Sequence, residues 1–240
     1  RQQPQPVYNQ SGISNEEAID IVTSSDHGKM AVVRQGALWY YNLAENNAVR
    51  VFTFASDNHK SDYVRTYYDQ HDIKVINMSD NGELDFLVYG YMNRGDYEGK
   101  TGIVLYHFRP DEDRIEERAY IPVEMTYQML KKEVEKFGYV NDKGDFYFAL
   151  NQKIYQYNII ARKLEILASG LTSDDYAMIR GIRNYMVWTN SSNPLEAEKI
   201  TIMDLETEEM SEIKAQAGDR IRLYGAVDEN IIYGFAKQED

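Results

Sequence analysis

The sequence predicts an all-β protein built as an array of four-stranded antiparallel sheets. The main observation is a six-residue pattern, apolar at both ends, that recurs at intervals of 46 to 65 residues. Its copies are residues 38–43, 103–108, 154–159 and 200–205. The fourth position is Tyr or Met, and the polar fifth position holds Asn42, His107, Asn158 and Asp204. Such a recurrence indicates one supersecondary unit copied several times.

Other short runs with strand-like alternation of apolar and polar residues accompany each copy. Predicted strands of the first two units are 18–24, 29–34, 37–43, 48–54, 73–79, 84–92, 101–108 and 114–121. Those of the next two are 134–140, 145–150, 153–159, 163–168, 176–180, 185–190, 198–205 and 209–214. A fifth unit has two strands, 220–227 and 231–236. The 20 tyrosines also favour strands, because aromatic residues suit half-buried pleated surfaces. We expect four complete units and a partial fifth.

Asp-x-Gly turns separate the first two strands of three units, at 26–28, 80–82 and 142–144. In such turns the Asp side chain caps the backbone and the Gly takes a positive φ. We expect the same geometry in all three.

One segment departs from the strand pattern. Met125, Met129, Leu130 and Val134 recur at helical spacing among Lys and Glu, which predicts a short amphipathic helix near 123–136. Its end overlaps the predicted strand 134–140.

We expect an irregular N-terminal arm at 1–16 and one domain at 17–240 whose last unit is incomplete at its C-terminal end. Two explanations remain open. Either residues 7–9 supply a missing strand, or the chain is an excerpt of a longer protein; we favour the excerpt, because an open array leaves strand edges uncovered.

Repeated four-stranded units of this length resemble the TolB-like and WD40-like β-propeller superfamily in the broad sense. The likeness is strongest to bacterial repeats in which an apolar-Tyr-x-apolar strand follows a strand such as 185–190, and it extends over about residues 19–236. It implies a β-propeller-like fold. The Gly-His and Trp-Asp dipeptides of WD40 repeats are absent, so the WD40 family itself is not indicated. A solenoid, the alternative, usually has a shorter period.

Composition excludes several classes of function. The net charge of −13 argues against nucleic-acid binding and against anionic membrane surfaces. The sequence has no apolar run long enough to insert into a membrane. It has no cysteine, which excludes disulfides, thiolate metal sites and a cysteine nucleophile. We expect no cofactor and an extracytoplasmic or cell-surface location, with the cytoplasm as the alternative.

Tyrosines outside the central strand positions are the main candidates for ligand binding, because they combine a large rigid contact area with a polar tip. They are Tyr63, Tyr67, Tyr68, Tyr91 and Tyr97. The alternative is that these rings cover the protein's own sheets. Strand tyrosines such as Tyr106 are expected to serve packing alone.

His59 and His71 share one Asp-rich segment and are weak candidates for a metal site. Their spacing matches no metal-binding motif, and we expect no metal.

The expected function is a non-catalytic scaffold or binding module of an exported bacterial protein. Its loops would bind a protein or glycan partner, or the remaining domains of a longer chain. Gly-x-Ser-x-Gly and phosphate-binding glycine-rich motifs are absent. One alternative is a carbohydrate-active or lyase-type propeller enzyme with its site at the channel mouth. Another is the ectodomain of a membrane-bound sensor.

Overall fold

The structure, a computed structural model, describes most of the chain. The described residues are 20–34, 36–54, 69–93, 95–134, 138–172, 174–179, 184–193, 195–227 and 230–237. The chain divides into two compact units, Arg1–Lys132 (unit 1) and Glu133–Asp240 (unit 2).

Unit 1 contains two four-stranded antiparallel sheets whose strands follow one another in chain order. Sheet 1 consists of β1 (Asp20–Thr23), β2 (Lys29–Arg34), β3 (Ala37–Asn42) and β4 (Asn47–Thr53). Sheet 2 consists of β5 (His71–Met78), β6 (Leu84–Tyr91), β7 (Thr101–Arg109) and β8 (Arg114–Pro122). A short 3₁₀ helix, Pro110–Glu112, joins β7 to β8.

Unit 2 contains two further sheets of the same kind and a two-stranded one. Sheet 3 consists of β9 (Gly138–Val140), β10 (Asp145–Leu150), β11 (Lys153–Asn158) and β12 (Lys163–Ser169). Sheet 4 consists of β13 (Tyr176–Ile179), β14 (Tyr185–Thr189), β15 (Lys199–Asp204) and β16 (Met210–Lys214). Sheet 5 pairs β17 (Asp219–Val227) with β18 (Asn230–Lys237).

These sheets confirm the predicted fold class, an all-β, propeller-type array of four complete four-stranded antiparallel blades and a partial fifth. The arm predicted at 1–16 lies outside the described residues, and the single domain expected over 17–240 stays a prediction.

The predicted helix is present but shorter than expected, as α1 (Tyr127–Val134). The strand predicted to begin at residue 134 was wrong, because β9 begins at Gly138. Leu130 and Val134, one helical turn apart, are both buried, so apolar burial favours helix at this position. Nothing helical in the described part of the chain is long and apolar enough to cross a membrane.

Burial decreases across each four-stranded sheet from the second strand to the fourth. Every residue of β10 is buried, and so is every residue of β6 except Tyr91. By contrast, β12 and β16 are largely exposed. Successive side chains point to opposite faces of a sheet, so a fully buried strand is covered on both faces.

The Asp-x-Gly turns behave as expected in two of three cases. Gly82 and Gly144 have φ of 90° and 85°. The expectation was wrong at Gly28, because His27 takes the positive φ, at 56°. The closing bond of this turn runs from Ser24 N–H to the carbonyl of Lys29, five residues on, whereas in the other two turns it spans four residues. Because the turn is one residue longer, the positive φ falls on His27, the residue before the glycine.

The polar fifth position of the repeated pattern closes the turn between the third and fourth strands. Its side-chain oxygen accepts a backbone N–H in three sheets: Asn42 from Glu45 at 3.3 Å, Asn158 from Ala161 at 2.6 Å, and Asp204 from Glu206 at 2.9 Å. Asp204 also accepts the N–H of Thr207 at 3.0 Å. This position therefore has an architectural role, as Asn and Asp commonly do in turns.

His107, the fourth member of the set, takes a different role. Its Nδ1 lies 2.8 Å from Oδ1 of Asp85, its neighbour in β6, and both residues are buried. The 3₁₀ helix Pro110–Glu112 forms the following turn instead.

Replacing Asp204 tests the turn-closing role. Asp204→Ala removes the acceptor of two backbone N–H groups and should lower the free energy of unfolding by about 1–3 kcal/mol. Asp204→Asn keeps an acceptor, as Asn42 and Asn158 do, and should lose less than half as much. Urea unfolding measures both, and equal losses would contradict the assigned role.

Candidate functional site

A loop between β6 and β7, described at residues 92, 93 and 95–100, positions Tyr97. The backbone N–H of Met92 donates to the carbonyl of Lys100 at 2.8 Å, and that of Gly99 donates to the carbonyl of Met92 at 2.9 Å. The N–H of Lys100 donates in turn to the carbonyl of Tyr97 at 3.0 Å. These bonds fix the backbone on either side of the tyrosine.

The ring of Tyr97 is held by two further interactions. It stacks on Tyr120 of β8, with ring centroids 3.8 Å apart and an interplanar angle of 12°. Its hydroxyl donates a hydrogen bond to Oε1 of Glu117. This bond to a carboxylate, followed by burial, raises the pKa of Tyr97 to about 12. Tyr97 is therefore oriented before any ligand arrives.

Tyr97 forms one wall of a cavity of about 330 Å³ within unit 1. The other aromatic walls are Phe52, Phe54 and Tyr106. Apolar residues of the β6 and β7 region form much of the remaining lining: Val88, Met92 and Val104. The polar side chains at the cavity are Asn93, Asp96 and Glu117. A mostly apolar cavity with a few polar groups is the common form of a small-ligand site.

The packing behind the cavity keeps its aromatic walls in place. Phe54 stacks on the buried ring of His71, with centroids 3.8 Å apart. Tyr106 stacks on the fully buried Phe86 at 5.4 Å. The β7–β8 register places Tyr106 directly opposite Glu117, so a ring and a carboxylate lie side by side.

Among the described residues, both charged side chains that line the cavity are acidic. Asp96 and Glu117 are exposed at its rim, and neither lies within 4 Å of a basic group among the residues that the structure describes. The ammonium of Lys100 lies 6.0 Å from the centroid of the Tyr97 ring. Among the described residues, the two rim carboxylates are therefore not neutralised by an ion pair.

The structure places the predicted ligand-binding tyrosines in different surroundings. Tyr97 lines the cavity, whereas Tyr91, 44% exposed at the end of β6, does not. The other three, Tyr63, Tyr67 and Tyr68, lie outside the described residues.

The structure describes only one of the two weak metal candidates. His71 is buried and stacks on Phe54, and His59 lies outside the described residues. In the described ranges, no group of three His, Asp or Glu residues is placed to hold a metal ion.

Of the aromatic and acidic residues that line the cavity, five were not predicted: Phe52, Phe54, Asp96, Tyr106 and Glu117. Tyr106 was assigned to packing alone, but it both packs and lines the cavity. The sequence did contain a signal for Phe52 and Phe54, because they form an aromatic pair two residues apart just before the polar segment 55–72. Glu117 gave no signal of its own.

A second polar cluster lies in unit 2 and joins sheet 3 to the turn at 204–209. Oε1 of Glu208 accepts hydrogen bonds from the Tyr147 hydroxyl and from Nε2 of Gln156, each at 3.1 Å. Oδ1 of Asp145 accepts one from Nδ2 of Asn158 at 2.7 Å. Burial, and then the neighbouring Glu208, raise the pKa of Asp145. Asp145 and Tyr147 are buried, so this cluster holds the unit together and is not an open site.

Sequence comparison gives no family for this chain: no protein-family model matches it, and no curated protein matches it. Similar solved structures include dipeptidyl peptidase 4 of Porphyromonas gingivalis (10% identity, TM-score 0.49, covering 86% of this chain and 35% of that one). Others are an oligogalacturonate lyase in complex with manganese (12%, 0.48, 87% and 58%) and the WD40 domain of SCAP from fission yeast (8%, 0.46, 94% and 57%).

This chain spans less than two thirds of the length of each of these three structures. At such identities and TM-scores the similarities assign neither a family nor an activity. The fold assignment therefore rests on the sheets themselves.

Replacing Gly102 tests the packing of Tyr120, the ring on which Tyr97 stacks. A methyl group at Gly102 would lie 2.6 Å from Cε2 of Tyr120 and 2.7 Å from the carbonyl oxygen of Ile121. Gly102→Ala should therefore displace the Tyr120 ring and lower the free energy of unfolding by about 1–3 kcal/mol.

The control for Gly102→Ala is Gly234→Ala, also in a strand, where the nearest atom would be Cε2 of Tyr224 at 3.1 Å. Urea unfolding compares the two variants, and a loss at Gly102 no larger than at Gly234 would contradict the close packing.

The raised pKa of Asp145 predicts a pH dependence of stability. Because the folded-state pKa of Asp145 lies above the ordinary value of 3.8 for an aspartate, the protonated carboxyl favours the folded state. That contribution is full below pH 3.8 and is lost as the pH rises through the folded-state pKa. Asp145→Asn keeps the neutral form, so its melting temperature relative to the original protein should increase as the pH rises from 4 to 7.

The control for Asp145→Asn is Glu98→Gln, at an exposed carboxyl. Its melting-temperature difference from the original protein should stay constant over the same pH range. A constant difference for Asp145→Asn as well would show that the pKa of Asp145 is not raised in the folded state.

Proposed function

We propose that this chain is a non-catalytic binding module and that the cavity in unit 1 is its ligand site. The observation that carries the proposal is the fixed orientation of Tyr97, stacked on Tyr120 and bonded to Glu117. A recognition side chain that is already ordered loses little conformational freedom on binding, which improves affinity.

Exposure of the two carboxylates favours binding over catalysis. A general acid of the glycosidase type has to be desolvated if it is to stay protonated near neutral pH. Asp96 and Glu117 are both exposed, and Glu117 already accepts the hydroxyl of Tyr97. This pair is better suited to holding a ligand than to transferring protons.

The proposal includes the wider role expected from the sequence, an exported binding protein whose partner presents a ligand to this cavity. The absence of cysteine is compatible with an extracytoplasmic location. A solvent-exposed loop on a rigid sheet frame is a common platform for recognition.

Removing the Tyr97 ring tests this function. A library of small fragments that contains amines, neutral sugars and aromatic acids is screened by NMR against the protein, and the affected residues are mapped. Ligands should perturb the cavity residues, and Tyr97→Ala should weaken their binding about tenfold or more, because a buried aromatic anchor contributes more than about 1.4 kcal/mol.

Tyr91→Ala is the matched control for Tyr97→Ala, since Tyr91 lies outside the cavity and should change affinity less than about twofold. Thermal unfolding of both variants checks that they remain folded. Fragments that bind only elsewhere, or none that bind at all, would refute the proposed site.

A further inference from the structure

We propose that the group bound in the unit 1 cavity is an organic cation, an alkylammonium or guanidinium group. This inference rests on the proposed binding function and names the chemical class of its ligand. It follows from the aromatic walls, the charge at the rim, the size of the cavity and the position of Lys100.

The walls offer the surface that an organic cation prefers. Among the described residues, four aromatic rings line the cavity: Phe52, Phe54, Tyr97 and Tyr106. The face of an aromatic ring is electron-rich and attracts a cation within about 6 Å, and several rings around one site form a cage for such a group. Alkyl groups on the cation would also fill apolar space against Val88 and Val104.

The rim supplies the complementary charge. Glu117 uses Oε1 for the Tyr97 hydroxyl, and its Oε2 accepts no hydrogen bond from the residues that the structure describes. Asp96 stands at the same rim, close enough that its charge contributes to the raised pKa of Tyr97. A ligand with one positive charge would offset part of the charge of these two carboxylates, whereas an anionic ligand would be repelled.

Cavity size separates a single cationic group from a glycan. About 330 Å³ lies at the lower end of the usual range for small-molecule sites, roughly 300–1,000 Å³. This volume suits one side chain or a small amine, and it is small for several sugar rings.

Lys100 shows that the Tyr97 ring accepts a cation. Its ammonium lies 6.0 Å from the ring centroid and comes from the same loop. Lys100 is exposed, so the contact is easily given up to a ligand whose cation is more weakly hydrated.

The direct experiment compares cations with neutral molecules of the same shape. NMR titrations use choline against 3,3-dimethylbutan-1-ol, and N-acetyl-lysine methylamide against N-acetyl-norleucine methylamide. Each cation should bind at the cavity about tenfold or more tightly than its neutral counterpart, and the tighter of the two cations shows whether the source is a free quaternary ammonium compound or a lysine side chain of a protein.

Two variants with the same change of charge assign the effect to the rim. Glu117→Gln should weaken choline binding about fivefold or more, because the compensating carboxylate is lost. Glu116→Gln, one residue earlier on β8 and therefore on its opposite face, should change it less than about twofold.

The outcomes distinguish this inference from the proposed function. If neutral molecules bind the cavity as tightly as the cations, or methyl glucoside binds more tightly, the cation inference is wrong and the binding site remains. If choline and all the other probes leave the cavity residues unperturbed, both are wrong. Equal effects of Glu116→Gln and Glu117→Gln would also overturn the inference.

Discussion

Two-sided burial of the second strand is the constraint on which sheets 2 and 3 depend. Residues of β6 and β10 are buried whichever face of the sheet they point to. Such a strand is stable only if apolar groups cover both faces, and one isolated sheet cannot provide that cover. The fourth strands, by contrast, can be largely exposed, as β12 and β16 are. The repetition of four-stranded units along the chain is consistent with this requirement.

The cavity forms where this burial ends. The last residue of β6, Tyr91, is exposed, and the chain then turns through the loop at 92–100 before it returns as β7. The loop brings Tyr97 onto Tyr120, while Tyr106 is held from behind by the buried Phe86. Buried side chains thus support the proposed ligand surface, and in our proposal the charge at the exposed rim selects the ligand.

The sequence predicted the sheets well because strand alternation and turn residues are local signals. It failed at Val134, where helical and strand burial patterns overlap, and at Gly28, where a longer turn gave the positive φ to His27. Tyr97 could be proposed from its loop position. Glu117 could not, because its approach to Tyr97 depends on the β7–β8 register, which shifts between Leu105 and Tyr106. Such a shift leaves no pattern in the sequence.

A crystal structure of the protein grown with choline tests the central claim most directly. The account predicts density for the trimethylammonium group inside the unit 1 cavity, against the rings of Tyr97 and Tyr106 and beside the carboxylate of Glu117. Tyr97 should keep its stack on Tyr120, because the site is formed before the ligand binds. A cavity filled by the protein's own side chains, or choline bound only elsewhere, would contradict the account.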